Sequence, residues 1–138
     1  MAGLIRKIIS TPNASRPLGP YNQAVQIGQT IYVSGCIGMD KDSSKLVSGG
    51  VAAEAEKAIK NLENILLAAD SSLSKVIKST VFLEDMNDFG AVNEVYKKYF
   101  KEPFPARSCI QVAKLPGGAK MEIEVVAVSG PLETISHL

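Results

Sequence analysis

An α+β fold, a single domain over residues 1–138 with two helices laid on one face of a six-stranded sheet, follows from three features of the chain. Two segments repeat their apolar residues at intervals of three and four. Six short segments carry alternating or β-branched residues, and no internal repeat, low-complexity run or linker divides the chain. At 46% hydrophobic and 21% charged residues, a chain of this size buries roughly two thirds of its unfolded surface, enough for one core.

Leu4 to Ser10 and Ala24 to Ile27 read as short strands on either side of a proline-rich loop, Thr11-Pro12 through Arg16-Pro17-Leu18-Gly19-Pro20. Gly28-Gln29 makes a two-residue turn into Thr30-Ile31-Tyr32-Val33-Ser34-Gly35-Cys36, whose β-branched and aromatic residues predict a third strand. Asp40 to Gly50, rich in Asp, Ser and Gly, is loop. From Val51 onward, Ala55, Ala58, Ile59, Leu62, Ile65, Leu66 and Ala69 form one stripe. Glu54, Glu56, Lys57, Lys60 and Glu63 fill the other side, which predicts an amphipathic helix of about five turns. Lys75 to Leu83 returns to strand character. Asn87 or Asp88 then caps a second helix, with a stripe of Phe89, Val92, Tyr96, Tyr99 and Phe100. Lys97, Lys98 and Lys101 suit the negative end of its dipole, and Pro103 and Pro105 stop it. Ala106 to Ala113 and Lys120 to Val128 are the last strands, joined by the turn Leu115-Pro116-Gly117-Gly118. The order is βββαβαββ. Two helices cover one sheet face only, so the other, with Val126 and Val128 beside polar groups, is predicted to meet further copies of the chain.

Fifteen basic residues against fourteen acidic ones give a net charge of +1, so no overall field holds a polyanion. Cys36 and Cys109 lie far apart within apolar runs and the one histidine, His137, is next to the C-terminus. No CxxC or HxxxH spacing is present, so a structural zinc site is not expected, and the thiols are expected reduced and intracellular. No apolar run reaches the roughly 20 residues that span a bilayer, and the start lacks a secretory signal, which predicts a soluble cytoplasmic protein. Two features weigh against that compartment. The first 39 residues lack any acid and carry Arg6, Lys7 and Arg16, so they resemble a mitochondrial leader, and Ser136-His137-Leu138 resembles a peroxisomal address with histidine in the basic position.

Two charged residues interrupt the apolar logic of the last strands. Glu122 lies within Met121-Glu122-Ile123-Glu124-Val125-Val126-Ala127-Val128, where alternation puts Glu122, Glu124, Val126 and Val128 on one face and Met121, Ile123, Val125 and Ala127 on the other. A carboxylate among valines needs a partner or a task. Arg107, just after Pro105-Ala106, offers a guanidinium fork that matches a carboxylate, either that of a structural acid or that of a substrate.

Gly19-Pro20-Tyr21, Ile31-Tyr32-Val33-Ser34-Gly35, Asn87-Asp88-Phe89 followed by Asn93, Phe104-Pro105-Ala106-Arg107-Ser108 and Met121-Glu122-Ile123-Glu124 resemble, in order and across nearly the whole chain, the reactive intermediate deaminase family, the YjgF/RidA/UK114 group. The resemblance implies a chorismate-mutase-like α+β domain with a mixed sheet. It also implies a homotrimer whose sheets surround a central barrel, with active sites in the subunit clefts and no cofactor. The activity it implies is hydrolysis of 2-imino acids, formed from 2-enamino acids such as 2-aminoacrylate, to 2-oxo acids and ammonia; 2-iminopropanoate and 2-iminobutanoate are the implied substrates.

On this resemblance Arg107 holds the substrate carboxylate, and Glu122 activates water and returns a proton to the leaving ammonia. Tyr21 lines the cleft and bonds substrate or water through its hydroxyl. Ser34 and Gly35 supply a hydroxyl and open backbone near the imine nitrogen, although Gly35 also suits close strand packing. Asn93 reaches a subunit interface or is simply an exposed polar residue of the second helix, and Cys109, two residues beyond Arg107 on the same strand face, is a pocket wall, since no histidine is placed to activate it. Glu124 shares the face of Glu122 and competes for its role. Two other functions stay open: RNA cleavage that inhibits translation, also described for relatives, and noncatalytic carboxylate binding or holdase action by a trimer.

Overall fold

The computed structural model describes residues 3–137. Strands β1 (Arg6–Ile9), β2 (Ala24–Ile27) and β3 (Thr30–Cys36) precede helix α1 (Val51–Ala68); β4 (Val76–Leu83), helix α2 (Phe89–Tyr99), β5 (Ala106–Gln111) and β6 (Met121–Val128) follow. The strands form one sheet in the order β1-β2-β3-β6-β4-β5. Every neighbouring pair is antiparallel except β4 and β5, which run parallel because α2 carries the chain back across the sheet between them. The sheet is therefore mixed, and the element order is the one the periodicity predicts.

The core lies between the helices and one sheet face. The α1 stripe Ala55, Ala58, Ile59, Leu62, Ile65 and Leu66 is buried against Ile31, Val33, Val81, Leu83, Met121, Ile123, Val125 and Ala127. A fully buried leucine or isoleucine here contributes roughly 1.5–3 kcal/mol relative to an exposed one. Alternation in β6 is complete: Met121, Ile123, Val125 and Ala127 are buried, while Glu122, Glu124, Val126 and Val128 point to the uncovered face. That face also presents Tyr32, half exposed beside Val126.

Boundaries shift where pairing runs out. Strand β1 begins at Arg6 rather than Leu4, because Arg6 already pairs with Ile27, the last residue of β2, and Leu4 and Ile5 lie exposed beyond it. A 3₁₀ turn over Leu73–Lys75 delays β4 to Val76, and β5 ends at Gln111, opposite the last residue of β4. The cap expected from Asn87 or Asp88 is supplied differently: Asp85 accepts from the Asn87 amide at 2.9 Å and opens a 3₁₀ turn over Met86–Asp88, while Asp88 makes no side-chain cap bond. Phe89, expected in the α2 stripe, stays exposed, and Val95 joins Val92, Tyr96 and Phe100 in the core. Both cysteines are free thiols. No helix among the described residues is long and apolar enough to cross a membrane. The leader-like start and the Ser136-His137-Leu138 address include Met1, Ala2 and Leu138, which lie outside the described residues.

Candidate active site

Strand β3 is not regular where Glu122 meets it. Val33 pairs with Val125 and Cys36 with Ile123, so Ser34 and Gly35 together face the single residue Glu124. This bulge brings the Gly35 backbone against the Glu122 side chain: a Cβ on Gly35 would lie 2.5 Å from Glu122 Cδ and 2.6 Å from Oε1. Close approach is thus the reason for glycine, and what approaches is the proposed base rather than a neighbouring strand. Tyr21, Ser34, Gly35 and Glu122 line one cleft, closed on its apolar side by Leu18, Ile37, Met39 and Pro116. Its interior has a volume of ≈ 30 Å³, space on the scale of a water molecule.

The walls of this cleft are pinned by buried polar groups. The Gln23 side chain accepts from the Thr11 amide at 2.7 Å and donates to the Thr11 and Ser15 carbonyls, which fixes the proline-rich loop. The Tyr21 hydroxyl accepts from the Leu18 amide at 3.0 Å and keeps its own proton free to donate. Ser34 Oγ donates to the Asn22 carbonyl at 2.7 Å and so faces the cleft only as an acceptor. Glu122 has no hydrogen bond or ion pair among the described residues. Burial, followed by the charge of Glu124, raises its pKa above the usual carboxylate value. Burial, aided by the negative charge of Glu122, pushes the neighbouring Cys36 thiol up to about 12, so Cys36 stays a neutral wall.

Arg107 belongs to a different environment. It sits beside Ser79 of β4, whose fully buried hydroxyl shares a 2.7 Å hydrogen bond with the Tyr96 hydroxyl of α2. The guanidinium carbon lies 4.6 Å from the centre of the Tyr96 ring and 5.6 Å from that of Phe89. Among the described residues it makes no ion pair, so the structural-acid alternative for Arg107 finds no partner here. Asn93, Phe104 and Pro105 border the same recess, together with Lys97, whose ammonium is held by Glu94 at 2.8 Å. Cys109 follows on the same strand face beside Val81, partly buried against the core. Burial raises its thiol pKa while Arg107 opposes that shift, leaving a poor nucleophile.

The seven candidates therefore fall into two groups. Tyr21, Ser34, Gly35 and Glu122 share one cleft; Arg107, Asn93 and Cys109 share another region. Arg107 neighbours Ser79 on the helix-covered side of the sheet, whereas Glu122 neighbours Phe82 on the uncovered side. Within one chain the guanidinium and the carboxylate open on opposite faces.

Residues 11–129 match the family described as endoribonuclease L-PSP. The chain belongs to this family. Among other L-PSP family proteins, the RutC family protein UK114 of Drosophila melanogaster is 61% identical over 134 residues, 97% of each chain. The 2-iminobutanoate/2-iminopropanoate deaminase of Homo sapiens is 57% identical over 136 residues, 99% of each. The crystal structure of E. coli TdcF with bound serine superposes with a TM-score of 0.84 at 41% identity, covering 90% of this chain and 99% of that one. The six-stranded L-PSP sheet with two helices is the fold that the βββαβαββ order predicted. Sequence reasoning missed Phe89 and Tyr96 as neighbours of Arg107, because aromatics at helical spacing read as core. It also missed Gln23, whose only signal was a polar residue at the mouth of a buried strand.

Proposed function

We propose that this protein deaminates small 2-imino acids by hydrolysis, converting 2-iminopropanoate and 2-iminobutanoate, and the 2-enamino acids that tautomerise to them, into 2-oxo acids and ammonia. The observation that carries it is Arg107, a guanidinium with no acidic partner among the described residues, opening beside Asn93 at the edge of α2. Its two parallel donors match a substrate carboxylate and hold C2 in place. Glu122 takes a proton from water as the oxygen attacks C2 of the protonated imine. It then returns that proton to the nitrogen of the tetrahedral carbinolamine; as the C–N bond breaks and ammonia leaves, the freed carboxylate takes the hydroxyl proton and the carbonyl of the 2-oxo acid forms. A carboxyl whose pKa is raised by burial suits both steps. The Tyr21 O–H is free to steady the water or the departing nitrogen.

Because Arg107 and Glu122 face opposite sides of one sheet, the working site is assembled between copies. In a homotrimer packed through the uncovered sheet faces around a central barrel, Arg107, Asn93 and Cys109 of one copy meet Tyr21, Ser34, Gly35 and Glu122 of the next. The half-exposed Tyr32, Val126 and Val128 supply apolar surface for that packing.

RNA cleavage has less beneath it. His137 is exposed in the C-terminal tail, and Lys97, Lys98 and Lys101 are engaged by Glu94, Glu56 and the Lys97 carbonyl rather than forming a track for phosphates. A trimer that only binds carboxylates is separated from an enzyme by turnover. The test generates 2-aminoacrylate from serine with a dehydratase and follows ammonia and pyruvate. Release above the spontaneous rate, lost in Arg107→Lys, supports the proposal; a spontaneous rate with saturating protein overturns it.

A further inference from the structure

A guanidinium that must grip a small carboxylate has to be held in one orientation, and the usual holder, an acid, also neutralises it and occupies donors that the ligand needs. Arg107 has no such holder among the described residues. Its guanidinium lies 4.6 Å from the centre of the Tyr96 ring, with Phe89 at 5.6 Å. An aromatic face attracts the cation while leaving the N–H groups, which point outward in the guanidinium plane, free for a ligand.

Tyr96 is itself immobilised. Its hydroxyl is tied at 2.7 Å to Ser79, a residue with no exposed surface on β4 directly beside Arg107. Its ring stacks on Phe100 at a centroid distance of 4.2 Å and an interplanar angle of 19°. Phe100 is among the largest fully buried side chains. A leucine could fill the volume of Tyr96 in the core, but it offers neither the ring face nor the tie to β4.

We propose that Tyr96, locked by Ser79 and Phe100, is the positioning residue of Arg107: its ring face orients the guanidinium before substrate arrives and keeps its donors free for the substrate carboxylate. This rests on Arg107 being the carboxylate clamp, and the experiment separates the two ideas. Tyr96→Leu, Tyr96→Phe and Arg107→Ala are assayed with 2-iminobutanoate generated by an amino-acid oxidase, and their affinity for 2-oxobutanoate is measured by calorimetry. Tyr96→Leu raises KM and the 2-oxobutanoate Kd by about tenfold, the scale of a partly desolvated cation–π contact, while kcat changes by less than about threefold. Tyr96→Phe, which keeps the ring face and its stack on Phe100 but loses the tie to Ser79, recovers most of both constants, within about threefold of wild type. If Arg107→Ala loses 2-oxobutanoate binding but Tyr96→Leu binds it normally, the positioning role is overturned and the clamp stands. If Arg107→Ala binds normally, the clamp falls and Tyr96 has nothing to position.

Should Tyr96→Leu fail to fold, the wild-type protein decides by proton NMR. The Arg107 δ and ε protons lie upfield of those of the exposed Arg6 and Arg16, shifted by the ring current, and remain so when 2-oxobutanoate binds. Unshifted protons, or a shift that collapses on binding, overturn the proposal.

Discussion

Gly35→Ala separates the fold from the chemistry. Gly35 has an ordinary backbone conformation, so alanine introduces no φ strain, and the whole effect comes from one new methyl group 2.5 Å from Glu122 Cδ, 2.6 Å from Oε1 and 2.9 Å from Cγ. Ordinary contact begins near 3.5 Å, so the carboxyl must retreat by about 1 Å. It is the end of a flexible side chain with no hydrogen bond to break among the described residues. An off-rotamer shift costs about 1 kcal/mol, which the lost freedom of the unfolded chain at a former glycine nearly offsets. The melting temperature therefore stays within about 4 °C of the wild type. A base displaced by about 1 Å costs on the order of 10²-fold in kcat. The assay is continuous ammonia release from enzymatically generated 2-iminobutanoate, paired with a thermal melt. In a Glu122→Gln background the same alanine has almost no further effect on kcat, because the group it displaces is already silent. A kcat within about threefold of wild type for Gly35→Ala alone refutes the reasoning.

Three further outcomes follow from the same geometry. With Glu122 as the proposed base, kcat/KM falls as pH drops through its raised pKa; Glu124→Gln removes one of the two causes of that rise and moves the acid limb to lower pH, whereas Glu122→Gln loses about 10²–10⁴-fold above that limb and no longer shows it. An acid limb that stays put or moves up in Glu124→Gln, or equal mild losses in both variants, contradicts these assignments. Gly38→Ala differs from Gly35→Ala because its new methyl meets backbone, 2.5 Å from Glu54 Cα and 2.6 Å from its carbonyl oxygen, forcing α1 away from the sheet. It costs about 1–3 kcal/mol and lowers the melting temperature by roughly 3–10 °C in thermal denaturation; an unchanged melt disproves the close approach. Cys109→Ser retains imine hydrolysis in the ammonia assay, and complete loss would reopen covalent catalysis through that thiol.

Much of the fold was legible because its signals are local. The three-and-four spacing of Ala55 through Leu66 located α1, and alternation sorted every side chain of β6 to its correct face. The ends of β1 and β5 were less legible, since they depend on where a partner strand stops and apolarity alone does not show it. The candidate residues were legible by type, but their division between two sheet faces was not. Alternation orders side chains within a strand, yet the relation between Arg107 and Glu122 passes through β4, whose parallel register with β5 and antiparallel register with β6 no single strand reveals. Gly35 could be suspected of close packing, but the identity of its neighbour required the bulge at Ser34 and Gly35.

The separation of the guanidinium and the carboxylate onto opposite sheet faces has a genetic consequence. On the proposed assembly between copies, no polypeptide owns a whole reaction centre, so two inactive alleles complement each other. Chains lacking Arg107 still lend a sound carboxylate, and chains lacking Glu122 still lend a sound guanidinium. In the proposed cyclic trimer, each mixed assembly has one junction where two sound halves meet, and random assembly of equal amounts is expected to restore about a quarter of the wild-type rate.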